Sequence, residues 1–187
     1  ADLSELAFRL TPQPDAQAAR RRQLDAGAAH FEAGSTARAR ALFAEAAEGA
    51  DASSLRAEAL SRLAWVEHYA GDQRVAVELF RECLADPQAD APVQADAAEG
   101  LATSLFFLRE ELAVAVGHAR SAARIAEEHG SRATRAVALG TQGMIEAVLG
   151  RSQAVRTLQS AVSLEEYARE LPLGRQPSFQ LAVTRVW

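Results

Sequence analysis

The sequence predicts an all-α protein, a right-handed α-solenoid of helical hairpins, and three observations carry that prediction. First, a two-helix unit repeats: Gly34, Ala39, Phe43 and Ala46 recur 37 residues later as Gly71, Ala76, Phe80 and Cys83. A period of about 35–40 residues is that of helical hairpins stacked side by side. Second, the 187 residues include 43 alanines while aromatics make up only 6%, a balance that favours helix and suits close helix–helix contact. Third, no segment alternates apolar and polar residues with period two over the length of a strand.

Residues 3–10 read as the end of a helix. Thr11, Pro12, Gln13 and Pro14 break it, because proline lacks an N–H donor and restricts the residue before it. Asp15 is placed to cap the next helix, which runs to about residue 33; Gly34 and Ser35 turn the chain into a second helix over 36–48. Ser53 or Ser54 caps the first helix of the second hairpin, which ends near residue 70. Gly71 and Asp72 turn, and its partner helix ends near residue 85 before Asp86 and Pro87. The third hairpin pairs 93–108 with 111–129, with Gly130 in the position after a helix end that favours glycine. Glu110 stands where the turn glycine of the other repeats would be. The fourth hairpin begins near Ser131; its first helix ends at residue 149, Gly150 turns, and its second helix covers 152–170. Pro172, Gly174 and Pro177 then break the chain, and Ser178 is placed to cap one more helix. The predicted organisation is a single repeat domain with hairpins at about 15–49, 53–86, 92–130 and 131–171 and an incomplete fifth at 177–187. The apolar stretch of Leu181, Val183, Val186 and Trp187 at the end predicts a fragment of a longer chain, or a face that buries against a second copy in a homodimer.

Charge and composition narrow the function. All 20 basic residues are arginine, and there is no lysine or asparagine, the usage of a GC-rich genome. The net charge of −5 and pI near 5.4, without a basic stripe, predict no direct contact with nucleic acid. The absence of an apolar run of about 18 residues predicts no membrane span, and no signal peptide is visible at the start. Cys83 is the only cysteine, so no intramolecular disulfide forms, and a reducing cytoplasm is the expected location. The four histidines, His30, His68, His118 and His129, have no partner at metal-ligand spacing. Glu127–Glu128 and Glu165–Glu166 are sequence neighbours and so point about 100° apart on a helix, which makes them solvated faces rather than acid–base pairs. The reading is of a chain that is not an enzyme and needs no cofactor or metal.

The hairpin spacing resembles tetratricopeptide-like repeats, in which a bulky residue, a leucine and a small residue on the first helix meet a small residue, an aromatic and a small residue on the second. Leu60, Leu63, Ala64, Ala76, Phe80 and Cys83 fill those places. Longer phrases carry a narrower resemblance. Leu10-Thr11-Pro12, Ala19-Arg20-Arg21-Arg22, Ala28-Ala29-His30-Phe31-Glu32-Ala33-Gly34, Leu55-Arg56-Ala57-Glu58-Ala59-Leu60 and Ala119 to Gly130 resemble, in their order and spacing, the helical region of large ATP-binding LuxR-type transcriptional regulators. That resemblance implies a sensor and coupling segment between an ATP-binding module and a DNA-binding helix-turn-helix module. The chain itself has no Gly-x-x-x-x-Gly-Lys-Ser/Thr loop and no recognition-helix module, so no ATPase or DNA-reading residue carries over. The alternative is a stand-alone scaffold that docks a partner peptide or helix.

If the first helix of each hairpin lines a concave groove, as in tetratricopeptide arrays, then Glu58, Arg62, Trp65, His68 and Tyr69 face it in the second hairpin. Gly100, Ser104 and Phe107 do so in the third, Gly140, Thr141 and Met144 in the fourth, and Asp25, Ala28 and Phe31 in the first. Trp65 and Tyr69 are four apart and share a helix face; with Phe107 they predict an aromatic shelf, with Arg62 as a charged handle, for a protein partner or a small-molecule effector. The competing reading has Trp65 and Tyr69 packing between helices. Gly100 and Gly140 weaken their helices by about 1 kcal/mol each relative to alanine, which close helix approach or room for a ligand would offset.

Overall fold

The computed structural model describes residues 1–10, 16–48, 54–168 and 173–186. Ten α-helices and two short 3₁₀ turns account for almost all of them, and no strand occurs among the described residues. The chain divides into two compact units, Ala1–Ala89 and Asp90–Trp187.

The first unit holds α1 (Asp2–Arg9), α2 (Ala16–Glu32), α3 (Thr36–Glu48), α4 (Ser54–Ala70) and α5 (Gln73–Ala85). Consecutive helices pack as pairs, α2 on α3 and α4 on α5, with α3 against α4 between them. Leu24, Ala39, Phe43, Ala46, Leu55, Ala59 and Val66 form its core. The recurring small–aromatic–small stripe is thus the face each second helix turns inward: Ala39, Phe43 and Ala46 on α3, and Ala76, Phe80 and Cys83 on α5, are all buried. The second unit holds α6 (Ala91–Leu108), α7 (Leu112–Glu128), α8 (Arg132–Val148), α9 (Ala154–Val162) and α10 (Pro177–Val186), with 3₁₀ turns at Glu165–Tyr167 and Leu173–Arg175. Here α6 pairs with α7 and α8 with α9, α7 and α6 both touch α8, and α10 lies against α8 and α9.

Helix ends follow local chemistry. The Asp72 carboxylate accepts from the Arg74 N–H at 2.8 Å and opens α5. The Asp90 carboxylate accepts from the Val93 N–H at 3.0 Å, with Pro92 in the first turn of α6, where its missing donor is not needed. Asp15 and Ser53, predicted as caps, lie outside the described residues, and Ser54 is the first residue of α4. The two glycines that announce the repeat do different work. Gly34 adopts φ +78° and closes α2 with paired bonds, its own N–H to the Phe31 carbonyl at 3.0 Å and the Ser35 N–H to the His30 carbonyl at 2.8 Å. Gly71 keeps an ordinary φ; a Cβ there would sit 1.8 Å from Glu67 Oε2 and 2.8 Å from Arg40 Nη2. It makes room for the Arg40–Glu67 ion pair that ties α3 to α4, with Nε to Oε1 at 2.5 Å.

At the α6–α7 turn the left-handed residues are Arg109, with φ 58°, and Glu111, with φ 47°, rather than Glu110. Arg109 takes the place of a C-terminal glycine: its N–H bonds the Phe106 carbonyl at 3.1 Å and the Glu110 N–H bonds the Leu105 carbonyl at 3.1 Å. The last hairpin also departs from expectation. Helix α9 ends at Val162 instead of continuing to residue 170, and Glu165 leaves helical register to hold the start of α10. Its carboxylate accepts from the Ser178 N–H at 3.0 Å and from the Ser178 hydroxyl at 2.7 Å. Pro177 opens α10, so Ser178 sits inside the first turn instead of capping it.

Candidate functional site

The helix faces singled out in the sequence carry two different kinds of lining. In the first unit the lining is aromatic. Trp65 stacks on Tyr69 with centroids 5.6 Å apart and an interplanar angle of 21°. Its edge contacts are Phe80 of α5 at 5.3 Å and His68 at 5.4 Å. Phe31 of α2 lies 6.1 Å from Tyr69. Trp65 is a packing residue, 8% exposed, wedged inside the α4–α5 hairpin, whereas Tyr69 is 48% exposed and presents its ring to solvent. His68 is buried, Phe31 half-buried, Asp25 exposed, and Ala28 packs on the core. Beside the rings runs a chain of ion pairs. Glu58 accepts from Arg62 Nη2 at 2.8 Å, one helical turn away, and from Arg21 Nη1 of α2 at 2.6 Å. Arg62 is therefore held by Glu58 as part of a seam between α2 and α4.

In the second unit the lining is polar. Glu99 of α6 is 2% exposed. Its Oε1 accepts from the hydroxyls of Thr103 at 2.8 Å and Thr141 at 2.9 Å. Its Oε2 pairs with Arg175, from the 3₁₀ turn before α10. A buried carboxylate is tolerable only with such a full set of donors. The candidate groove residue Thr141 is thus turned toward α6 and committed to Glu99. Ser104 and Gly100 are buried. Gly140 lies beneath α10: a Cβ there would stand 2.1 Å from Gln180 Oε1, so the space is taken by the Gln180 side-chain amide. Met144 is half-buried, and its sulfur accepts from the Thr184 hydroxyl at 3.3 Å. Phe107, the third member of the predicted shelf, is 60% exposed and lies edge-on to Phe106 at 5.8 Å in the second unit. Of the apolar end, Leu181 and Val183 are half-buried, while the Val186 side chain and Trp187 lie outside the described residues.

The same unit holds a second buried carboxylate. Glu146 of α8 is fully buried. It accepts from Gln142 at 2.9 Å, Thr157 at 2.8 Å, Arg120 at 3.3 Å and Gln153 at 3.4 Å. Burial pushes its carboxyl up, and the four donors outweigh that, holding it below the usual carboxylate range.

Sequence reasoning passed over Glu99, Arg175 and Glu146. The signal was present: each acid stands alone in an apolar stretch, Ala97 to Ala102 and Met144 to Leu149, with a hydrogen-bonding side chain four residues away at Thr103 or Gln142. Where Glu99 and Arg175 meet, the unit contains a cavity of about 270 Å³, lined also by Asp96, Thr134, Val137 and Tyr167. Among the described residues no group of three or more His, Cys, Asp and Glu side chains is placed to hold a metal ion, and no helix is long and apolar enough to cross a membrane.

The chain matches no protein-family model and no curated protein.

Proposed function

We propose that this chain is the sensor and coupling segment of a LuxR-type transcriptional regulator, built as a right-handed solenoid of tetratricopeptide-like hairpins and working in the cytoplasm. The observation that carries the reading is the ordered set of phrases from Leu10 to Gly130, together with consecutive helices that pack as pairs. A ligand or protein partner would bind on the hairpin faces and shift their packing, and so change the availability of a DNA-binding module elsewhere in the parent protein. The segment itself performs no catalysis and touches no DNA. Such coupling requires two packing states with different affinity for the effector. The test is the reading frame around the segment: a phosphate-binding loop upstream and a helix-turn-helix downstream support the reading, and an open frame with neither overturns it.

The half-exposed rings of Tyr69 and Phe31, beside the Arg21–Glu58–Arg62 ion chain, favour a second reading, a scaffold that docks a partner helix or peptide on the first unit. Aromatic rings flanked by charge are the composition of protein-binding hot spots. This reading takes precedence if the flanking modules are missing.

A further inference from the structure

We propose that the outer face of α1 is a docking surface for a second copy of this chain, with the two α1 helices antiparallel across a two-fold axis. The inference does not rest on the regulator reading and stands or falls separately. Successive residues of a helix are about 100° apart, so α1 has two opposite faces. Ser4, Glu5 and Phe8 lie on one and are half-buried against the first unit. Leu3, Leu6 and Leu10 lie on the other and are 82%, 51% and 71% exposed, with Ala7 exposed beside them. The helix is thus docked with its acid inward and its leucines in water.

That orientation is fixed from below. Glu5 accepts from His30 Nε2 at 2.8 Å and from Arg38 Nη2 at 2.6 Å. Rolling α1 over to bury the leucines would break both contacts and strand the buried His30 ring. Nor is the leucine face of a kind that the repeat leaves bare. Thirty-six residues after Leu3, Leu6, Ala7 and Leu10 stand Ala39, Leu42, Phe43 and Ala46 of α3, all of them buried. A contiguous apolar stripe left in water marks an interaction surface.

Three features select a second copy as the occupant. The leucines are spaced three and then four apart, the spacing of the apolar seam between two packed helices. The stripe is also self-complementary, as a two-fold interface requires. Leu3 and Leu10 stand on either side of Leu6, so an antiparallel approach centred on Leu6 sets Leu3 of each copy toward Leu10 of the other. The third feature is charge. Asp2 and Arg9 are exposed at opposite ends of the stripe, along the same side of it. Antiparallel pairing brings Asp2 near Arg9 of the second copy at both ends, whereas parallel pairing sets like charges together. This needs no new donor: Arg9 keeps its bond to Glu5 of its own helix, and only its charge is used. A lipid surface fits less well, because the polar side of α1 carries Asp2 and Glu5 in place of the basic face of a membrane-binding helix. Two turns per copy bury less than the ~800 Å² per partner of a standard interface, so the dimer is weak and reversible.

The experiment is sedimentation equilibrium of the 187-residue chain up to about 1 mM, reading its mass against the 20.0 kDa of one copy. The proposal expects a monomer–dimer equilibrium that Leu6→Glu weakens at least tenfold, with the helical circular dichroism signal unchanged because Leu6 is a surface residue. Disulfide capture with diamide then reads the geometry, since Cys83 is buried away from the surface. Leu6→Cys should link to a second copy of itself. Leu3→Cys should link to Leu10→Cys in a mixture more readily than to itself. A chain that stays monomeric at the top of the concentration range overturns the proposal and leaves the face to a different partner. A dimer indifferent to Leu6→Glu overturns it as well, by placing the interface elsewhere. Preferential self-linking of Leu3→Cys overturns the antiparallel arrangement. The parent chain alone decides whether the dimer exists, so the test holds even if a variant fails to fold.

Discussion

The two units use the same hairpin plan and seal it in opposite ways. In the first, the space between α2, α4 and α5 is closed by Phe31, Trp65, Tyr69 and Phe80. In the second, the space between α6, α8 and the turn before α10 is closed by Glu99, Thr103, Thr141 and Arg175. Aromatic burial stabilises without directional demands. A buried ion pair gains little over an apolar seam of the same shape and is strongly destabilising when half of it is removed. The difference teaches that the repeat specifies a scaffold while the lining is free to vary.

The comparison predicts how each seam fails. Phe80 is fully buried against Trp65, so Phe80→Ala should lower the unfolding free energy by about 4 kcal/mol, measured by urea denaturation. Glu99→Ala removes the acceptor of two hydroxyls and a guanidinium and should cost about 3 kcal/mol. A loss below about 1 kcal/mol in either variant would mean that the seam concerned is not closed as described.

Smaller effects sharpen the picture at the turns and at α1. Arg109 holds a left-handed conformation at φ 58°, a place glycine fills at the end of α2. Arg109→Gly should therefore stabilise by about 1 kcal/mol, less whatever its contact over the Phe106 ring contributes. A clear loss would show that this contact outweighs the backbone strain. Helix α1 buries none of its side chains and is held through Glu5. Hydrogen bonds from Arg38 and then His30 pull the Glu5 carboxyl from 4.5 to about 2. The stabilisation from these bonds is complete above the unfolded value near 4.5 and is lost as pH falls through about 2. Glu5→Gln should flatten the decline of stability in that acid range, and a variant curve parallel to the parent's would contradict the assignment.

Much of the scaffold was legible in the sequence. Gly34, Asp72, Gly130 and Gly150 mark helix ends through local rules, and the inward stripe of α3 and α5 follows from its period. The end of α9 was not legible, because Glu165 leaves the helix to bind Ser178, thirteen residues on. The candidate site was legible in part. The i, i+4 rule brought Trp65 and Tyr69 together, but it could not tell that one ring is buried and the other half-exposed. Glu99 and Arg175 lie 76 residues apart; no local rule pairs them, and only the lone acid in an apolar helix hinted that a distant donor existed.

The central claim is that the second seam does not owe its polarity to stability. The direct measurement is urea unfolding of a chain with that seam made apolar: Glu99→Leu, Thr103→Val, Thr141→Val and Arg175→Met together. The account predicts an unfolding free energy equal to or above that of the parent. A loss of about 2 kcal/mol or more would contradict it and make the polar seam a structural element.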